Sequence, residues 1–331
     1  MYIAEVGQNH QGDIEMAKKY VEIFSRHGAS VIKFQTRNNK HLFSKGAYTN
    51  KYNSENSFAE TYGEHREELE LSPDDLRVLK RECIKHSVKF MSTPFDEPSL
   101  DLICDIGVDL IKVSSFDIGN IPFLNKVSKK GLPVVLSTGG GDLDVVKSSI
   151  KELSLGIDDI TILHCVSEYP CPAERLGLEV IKEFKEIFPN FTIGLSDHFN
   201  GILSGPIAYM MGARVFEKHV TMNRSWKGTD HAFALEPHGF GNFVRDIERT
   251  SKMIRRKPSD ELGKEEVFNK LGKSIIAAKD LYSGMVISKE DLSGRIFSCE
   301  HTPVRESINF IGSIVKNNKK KGSPITYDDI T

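Results

Sequence analysis

The chain has 331 residues, enough for one barrel of ~250 residues or two ordinary domains, so small scaffolds held by disulfides or metal are excluded. Apolar residues make up 39% and the 26 glycines add about 8%, as in soluble globular proteins, which excludes disorder as the main theme. Lys plus Arg is 44 against Asp plus Glu 46, a net charge of −2 with no charged tail, whereas a dedicated binder of nucleic acid or anionic membrane shows a basic surplus.

Short apolar runs of strand character recur at Ile3–Val6, Val31–Gln35, Val88–Met91, Leu110–Val113, Val134–Ser137, Ile160–His164, Phe191–Gly194 and Val215–Lys218. Each is followed by polar or glycine-rich residues and then by an amphipathic stretch. Eight such units in about 250 residues predict an α/β fold, a closed (β/α)8 TIM barrel, because an open doubly wound sheet has nearer six strands. The first helix starts at Asp13, carries Ile14, Ala17, Val21 and Phe24 on one stripe and stops at Gly28. A later one opens on Ser72-Pro73-Asp74-Asp75, a cap with proline in the first turn, and turns Leu76, Leu79 and Cys83 inward. Between them residues 38–71 are polar and aromatic and far longer than the ~2–6 residues usual for such a connection. They read as a lid or active-site loop, or as a solvated insertion.

The repeat stops near Ile254. Residues 1–255 are expected to form the barrel, the charged and proline-containing 256–271 a linker, and 272–331 a small β-rich module in which DLYSGMVISKEDL and NKKKGSPITYDDI resemble one another. A module of ~60 residues is marginal alone, so it is expected to pack on the barrel or on a partner subunit. No run approaches ~18 apolar residues, and MYIAEVGQNH lacks the layout of a signal peptide, so the cytoplasm is the expected compartment. The cysteines Cys83, Cys104, Cys165, Cys171 and Cys299 form no C-x-x-C pair and read as small buried residues, with a thiol ligand or nucleophile at Cys165 as the alternative.

Active sites of such barrels are built at the C-terminal ends of the strands. There the chain offers Glu5, Asn9 and His10; Lys33 and Gln35; Ser92 and Thr93; Lys112, Ser114, Ser115 and Asp117; Ser137; His164, Ser167 and Tyr169; Ser196, Asp197 and His198; and Glu217, His219, Asp230 and His231. Lys33 and Lys112 lie in otherwise apolar strands, and a lysine inside a barrel needs an anion to offset its desolvation. With the hydroxyls of Ser115, Ser137 and Ser196 they make a phosphate or carboxylate socket; the alternative is that they pair with Glu5 and Asp117. His198 and His219 end neighbouring strands, and with Glu5, Glu217 or Asp230 they offer an incomplete shell for a divalent ion such as Mn²⁺. The other reading is one satisfied buried histidine and one acid/base histidine. Ser196-Asp197-His198 is no nucleophile triad, because strand neighbours alternate in direction and no G-x-S-x-G elbow occurs. Gly139–Asp142 lacks the layout of a phosphate-binding loop. Together these favour carbon–carbon bond formation on a phosphate-bearing substrate, with a Schiff-base aldolase acting through Lys33 or Lys112 as the rival.

The motifs AEVGQNHQG (Ala4–Gly12), IKFQT (Ile32–Thr36), STPF (Ser92–Phe95), LSTG (Leu136–Gly139), HCVSEYP (His164–Pro170), GLSDH (Gly194–His198) and EKHVT (Glu217–Thr221), in this order, resemble the sialic acid synthase family over nearly the whole chain. The C-terminal module resembles that family's antifreeze-like (SAF) domain. The resemblance implies condensation of phosphoenolpyruvate with N-acetylmannosamine or a related hexose, giving a nonulosonic acid and phosphate. The 9-phosphate reaction on N-acetylmannosamine 6-phosphate and legionaminic or pseudaminic acid synthesis are the variants. It implies that Lys33, Lys112, Ser115, Ser137, Ser167 and Ser196 hold phosphoenolpyruvate, and that His198 and His219 ligate the metal, Mn²⁺ with Mg²⁺ or Co²⁺ as alternatives. Glu5, Gln35, Asp117, Glu217 and Asp230 would be catalytic, with Asp117, Tyr169, Asp230 and Arg295 facing the sugar. It also implies a homodimer in which the C-terminal domain reaches the other subunit.

Some positions depart from the family pattern. Asp117 replaces a longer glutamate, Ser167 stands where some relatives have asparagine, and the loop GRIFSCEHTPVRE matches the trans-acting arginine at Arg295 only approximately, leaving Arg305 as a substitute. A phosphorylated acceptor would need another cation, for which His65, Arg66 and Lys227 are the candidates.

Overall fold

The computed structural model describes residues 1–299 and 301–331 and separates them into two units, Met1–Ile254 and Arg255–Thr331. In the first, eight parallel strands close in sequence order: β1 (Tyr2–Gly7), β2 (Val31–Thr36), β3 (Lys89–Pro94), β4 (Leu110–Val113), β5 (Val134–Ser137), β6 (Ile160–Cys165), β7 (Thr192–Asp197) and β8 (Val215–His219), with β8 paired back to β1. This is the (β/α)8 barrel. β4 and β5 match their apolar runs to the residue, whereas β3 and β7 run three residues further. The ladder continues there through Ser92-Thr93-Pro94 and Leu195-Ser196-Asp197, where side chains turn polar and an apolar-run criterion stops early.

Alternation along the strands builds the interior in two layers. Ile3, Val31, Met91, Leu110, Val135, Leu163 and Val215 form one apolar cluster inside the barrel. Two residues further along the same strands stand Glu5, Lys33, Thr93, Lys112, Ser137, Cys165 and Glu217, which line a cavity. The other parity, including Ala4, Ile32, Phe34, Ile111 and Ile162, packs outward into the main core. β7 contributes Gly194 to the apolar layer, where a Cβ would collide with the Val215 carbonyl and lie 2.5 Å from Leu163 Cδ2. Gly194→Ala is therefore expected to destabilise the barrel by about 1–3 kcal/mol, read as a lower urea midpoint at unchanged slope.

The outer helices begin where caps place them. Asp13 accepts from the Glu15 and Met16 amides ahead of α1 (Ile14–Arg26), which buries Ala17, Tyr20, Val21 and Phe24. The 38–71 connection holds three short helices, α2 (Asn39–Leu42), α3 (Lys45–Thr49) and α4 (Tyr62–Glu67), the last with a Thr61/Glu64 capping box, before α5 (Pro73–Lys85), capped by Ser72. The wall is completed by α6 (Glu97–Ile106), α7 (Ile121–Ser128), α8 (Leu143–Leu153), α9 (Val180–Ile187), α10 (Ser204–Met211) and α11 (Pro237–Met253).

His10, in the turn after β1, is 2% exposed and its Nδ1 accepts from the Gly12 amide. Burial pushes its imidazole down to about 4. Between pH ~6.5 and ~4 the unfolded chain therefore binds a proton that the fold excludes. Stability is whole above that window and falls through it by about 3 kcal/mol. Urea titrations at pH 7 and pH 4.5 are expected to show a smaller acid loss in His10→Asn than in the parent.

The second unit opens with α12 (Glu266–Leu271), inside the stretch expected as a linker, followed by β9 (Ser274–Ala277) and β10 (Leu292–Arg295), which pair antiparallel. Ile275, Ala277, Leu281, Ile287, Phe310, Val315 and Ile325 form its core. Its two similar segments fold alike: Ser288 and Asp291 make one capping box, Thr326 and Asp329 another, and each aspartate also binds a lysine, Lys279 at 2.6 Å and Lys319 at 2.7 Å. Among the described residues no helix is long and apolar enough to cross a membrane.

Candidate functional site

A cavity of about 460 Å³ opens at the C-terminal ends of the strands. Of the residues read from the sequence as the site, it is lined by Glu5, Lys33, Gln35, Lys112, Ser115, Ser137, Tyr169, Ser196, His198, Glu217, His219 and Asp230. Lys33 and Lys112 are each 3% exposed. Lys33 Nζ lies 3.0 Å from Glu5 Oε2 and 3.4 Å from Glu217 Oε1 and donates to Thr93 Oγ1 at 3.3 Å. Lys112 Nζ donates to Ser137 Oγ at 2.7 Å and to the Val113 carbonyl at 3.0 Å, with Glu217 at 4.0 Å. The lysines thus face the cavity and pair with carboxylates at once, through Glu5 and Glu217 rather than Asp117.

These charges set one another's protonation. Burial works against the Lys33 ammonium, yet Glu217 and Glu5 hold its pKa above the ordinary value. For Lys112 burial prevails and lowers it. Burial raises the Glu5 carboxyl despite Lys33, whereas the Glu217 carboxyl, buried as well, is brought down to about 2 by Lys112, Lys33 and His219. Ser196 Oγ donates to Glu217 Oε1 at 3.1 Å, and Glu217 Oε2 is buried with no hydrogen-bond partner among the described residues. Its other face is left for a ligand.

His198 and His219 stand 5.5 Å apart between ring centroids. The Val166 carbonyl, 2.8 Å from His198 Nδ1, can only accept, so Nδ1 carries a proton; burial works against the charged ring, but Cys165, the Val166 carbonyl and Glu217 hold its pKa above the ordinary value. Burial drives the His219 imidazole down to about 3, so it is neutral, and its buried Nδ1 has no hydrogen-bond partner among the described residues, with Asp230 Oδ2 3.8 Å away. His219 offers an unpartnered ring nitrogen to a divalent ion, and His198 can join it once its ring gives up the second proton. No group of three or more His, Cys, Asp or Glu among the described residues is disposed to hold a metal. An ion here would complete its shell from water and substrate.

Ser115 Oγ accepts from the Gly139 amide at 3.1 Å and donates to Cys165 Sγ at 3.4 Å. Ser167 is gathered beside Ser115, since a Cβ at Gly139 would collide with both hydroxyls. Burial opposes the Cys165 thiolate, but His198, Ser115 and Lys112 outweigh it and bring the thiol down to about 7.

Other polar residues near the strand ends are not brought into the cavity. Asp117 follows β4, its carboxylate taken by Asn120 Nδ2 at 2.9 Å and Ser114 Oγ at 3.4 Å. His164 points outward, its Nε2 2.6 Å from the Leu176 carbonyl, and Asp197 is bound by Lys218 at 2.7 Å and by Ser204. His65 is buried against Tyr52, Phe58 and Tyr62, and Lys227 lies over the Phe58 ring at 4.9 Å. Arg295 lies in β10 and Arg305 over Phe268, both in the second unit.

Arg37 was not among the sequence-read residues, although it stands one position beyond β2, where the strand-end rule applies. It lines the cavity, stacks on Phe95 at 3.8 Å, pairs with Glu70 at 3.4 Å and donates to Gln35 Oε1 at 2.6 Å. That bond orients the Gln35 amide so that Nε2 donates to Glu5 Oε1 at 2.7 Å. Arg66 and Asn56, from the 38–71 connection, also line the cavity, so this segment contributes to the site.

The NeuB family model matches residues 20–258. The chain is 33% identical to N-acetylneuraminate-9-phosphate synthase of Homo sapiens, over 95% of this chain and 88% of that protein. It is 34% identical to N,N'-diacetyllegionaminic acid synthase of Legionella pneumophila, over 99% and 94%. Among solved structures, N-acetylneuraminic acid synthetase from Leptospira borgpetersenii, crystallised with citrate, superimposes with a TM-score of 0.70 at 30% identity, over 82% of this chain and 91% of that one. With barrel, cavity and sequence in agreement over nearly its whole length, the chain belongs to the NeuB family.

Proposed function

We propose that this chain condenses phosphoenolpyruvate with the open-chain aldehyde of an N-acetylhexosamine or related hexose, giving a nonulosonic acid and inorganic phosphate. The observation that carries this is the pair of buried lysines on β2 and β4 sharing one cavity with two histidines from the ends of β7 and β8. Lys33 and Lys112, with the hydroxyls of Ser115, Ser137, Ser167 and Ser196, bind the carboxylate and phosphate of the enol phosphate. His198 and His219 hold a divalent ion, Mn²⁺ by preference with Mg²⁺ or Co²⁺ as alternatives. When bound, it supplies positive charge for the oxygen of the aldehyde.

The enol C2–C3 electron pair forms the new bond to the aldehyde carbon, whose oxygen takes up a proton. Water adds at C2, and phosphate leaves as the keto group forms. Glu217, its Oε2 without a hydrogen-bond partner among the described residues, orients that water by accepting a hydrogen bond from it, the water's proton leaving with the phosphate, and Asp230 orients the sugar beside Tyr169. Gln35, oriented by Arg37, keeps Glu5 turned toward Lys33. Asp117 acts on the turn after β4 through Asn120 and Ser114. Lys33, held charged by two carboxylates, is poorly suited to a Schiff base; Lys112, whose pKa burial lowers, is the residue on which borohydride trapping of substrate would separate an aldolase from this reading. The assembly we assign is a homodimer in which Arg295 of one protomer serves the sugar in the other, checked by sedimentation and by mixing Arg295→Ala with a barrel variant to restore activity.

The direct test incubates the protein with phosphoenolpyruvate, Mn²⁺ and, in turn, N-acetylmannosamine, its 6-phosphate and 2,4-diacetamido hexoses, and follows phosphate release and product mass. Sugar-dependent release with a mass gain of the pyruvate unit is expected. Unchanged phosphoenolpyruvate with all three would overturn the assignment.

A further inference from the structure

We propose that Arg66 is a subsite for an oxyanion carried by the acceptor sugar itself, so that the acceptor of this chain is a phosphorylated hexosamine. The proposal rests on the condensation above and adds to it the class of acceptor. Among the described residues four lysine and arginine side chains line the cavity: Lys33, Lys112, Arg37 and Arg66. Three have carboxylates within 4.0 Å: Lys33 has Glu5 and Glu217, Lys112 has Glu217, and Arg37 has Glu70. Arg66 has none among the described residues. Its partners are neutral, the Gln8 Oε1 and the Tyr62 hydroxyl, to which Nε and Nη2 donate at 3.1 and 3.0 Å.

A guanidinium carries five N–H donors in a rigid fork, and these three bonds leave two unused. The fork is also held in place. Tyr62 lies under it at 5.3 Å, one turn earlier on α4, and Gln8 reaches it from the turn after β1. A fixed, partly desolvated guanidinium with two spare donors and no carboxylate within 4.0 Å among the described residues is complementary to a phosphate oxygen pair. The enol phosphate has its own cations on β2 and β4, whereas Arg66 comes from the connection beyond the strand ends. Asn56 of the same connection, tied to the next wall of the cavity by the Gly228 amide at 2.9 Å, and Thr229 are the neutral groups that also line the cavity from these loops. Lys227, the other cation considered for this region, does not line the cavity, and neither does His65, whose imidazole burial, Arg66 and Lys227 push down to about 4.

The test compares N-acetylmannosamine with its 6-phosphate in the intact protein, following loss of phosphoenolpyruvate so that phosphate on the sugar does not interfere. The parent is expected to show at least a tenfold higher kcat/KM for the phosphorylated sugar. Arg66→Gln is expected to shrink that ratio about 10- to 100-fold, and Arg66→Lys, with charge but no fork, by less. Calorimetric titration of the parent with each sugar, without phosphoenolpyruvate, is expected to rank them in the same order and needs no variant to fold. Equal or better use of the neutral sugar by the parent would overturn the proposal. So would an Arg66→Gln loss that is the same factor for both sugars, or one confined to the KM for phosphoenolpyruvate. Turnover of the neutral sugar alone removes only the acceptor class, whereas turnover of no sugar at all removes the condensation and this subsite with it.

Discussion

Lys33→Met is expected to destabilise the barrel by about 3–5 kcal/mol and to abolish consumption of phosphoenolpyruvate. The ammonium lies 3.0 Å from Glu5 and 3.4 Å from Glu217, and both carboxylates are under 5% exposed. Removing it leaves two buried like charges, with only Lys112 at 4.0 Å from one of them. Breaking a buried ion pair from one side costs this much because the remaining charge keeps its desolvation without its partner. The check is a urea titration followed by circular dichroism, with Lys33→Met/Glu5→Gln beside it. Removing one of the stranded charges is expected to recover part of the lost stability while leaving catalysis absent. A single variant as stable as the parent would show that Glu5 and Glu217 are not held apart by Lys33, and the charge arrangement proposed for the site would fail.

His219→Ala is expected to lower sugar-dependent phosphate release about 1000-fold, the scale of several kcal/mol of charge stabilisation at the aldehyde oxygen. The His219 ring is packed by Phe233 at 5.2 Å and by Tyr169 at 6.2 Å, and its Nδ1 has no hydrogen bond among the described residues, so the packing there does not depend on that nitrogen. Chelator treatment of the parent is expected to produce a similar loss that Mn²⁺ reverses. In the variant the same Mn²⁺ concentration is expected to restore nothing. Counting bound Mn²⁺ by paramagnetic resonance separates loss of the ion from loss of packing. A variant that binds Mn²⁺ as the parent does would exclude His219 as a ligand, whatever its activity.

The most legible part of this protein was its interior. A lysine flanked by Ile and Phe in a period-two run has one explanation, an inward side chain near a strand end, and Lys33 and Lys112 are found there with Glu5 and Glu217 in the same layer. The duplicated C-terminal segments were legible for a similar reason, because a Ser or Thr three residues before Asp makes a local box that needs no distant partner. Polarity beside a strand end was less informative. Asp117, His164 and Asp197 occupy such positions, yet each is consumed by a neighbour in the wall or the turn. Which side of the sheet a residue faces after the ladder ends depends on loop geometry that periodicity does not encode. The same holds for Arg66. Its place in the cavity depends on how a non-periodic connection with three short helices folds back to meet Gln8.

The two-layer alternation carries a genetic consequence. Phe34 and Lys33 are adjacent in β2, one facing the outer core and the other the cavity. Deleting a single codon ahead of them would slide the strand by one step, drive an aromatic ring among the charges and press an ammonium into the hydrocarbon between barrel and helices. In-frame gain or loss of one residue inside a strand should therefore be far more damaging here than almost any replacement at the same place. A library of single-codon deletions across the gene should leave survivors clustered in the turns between strands and helices.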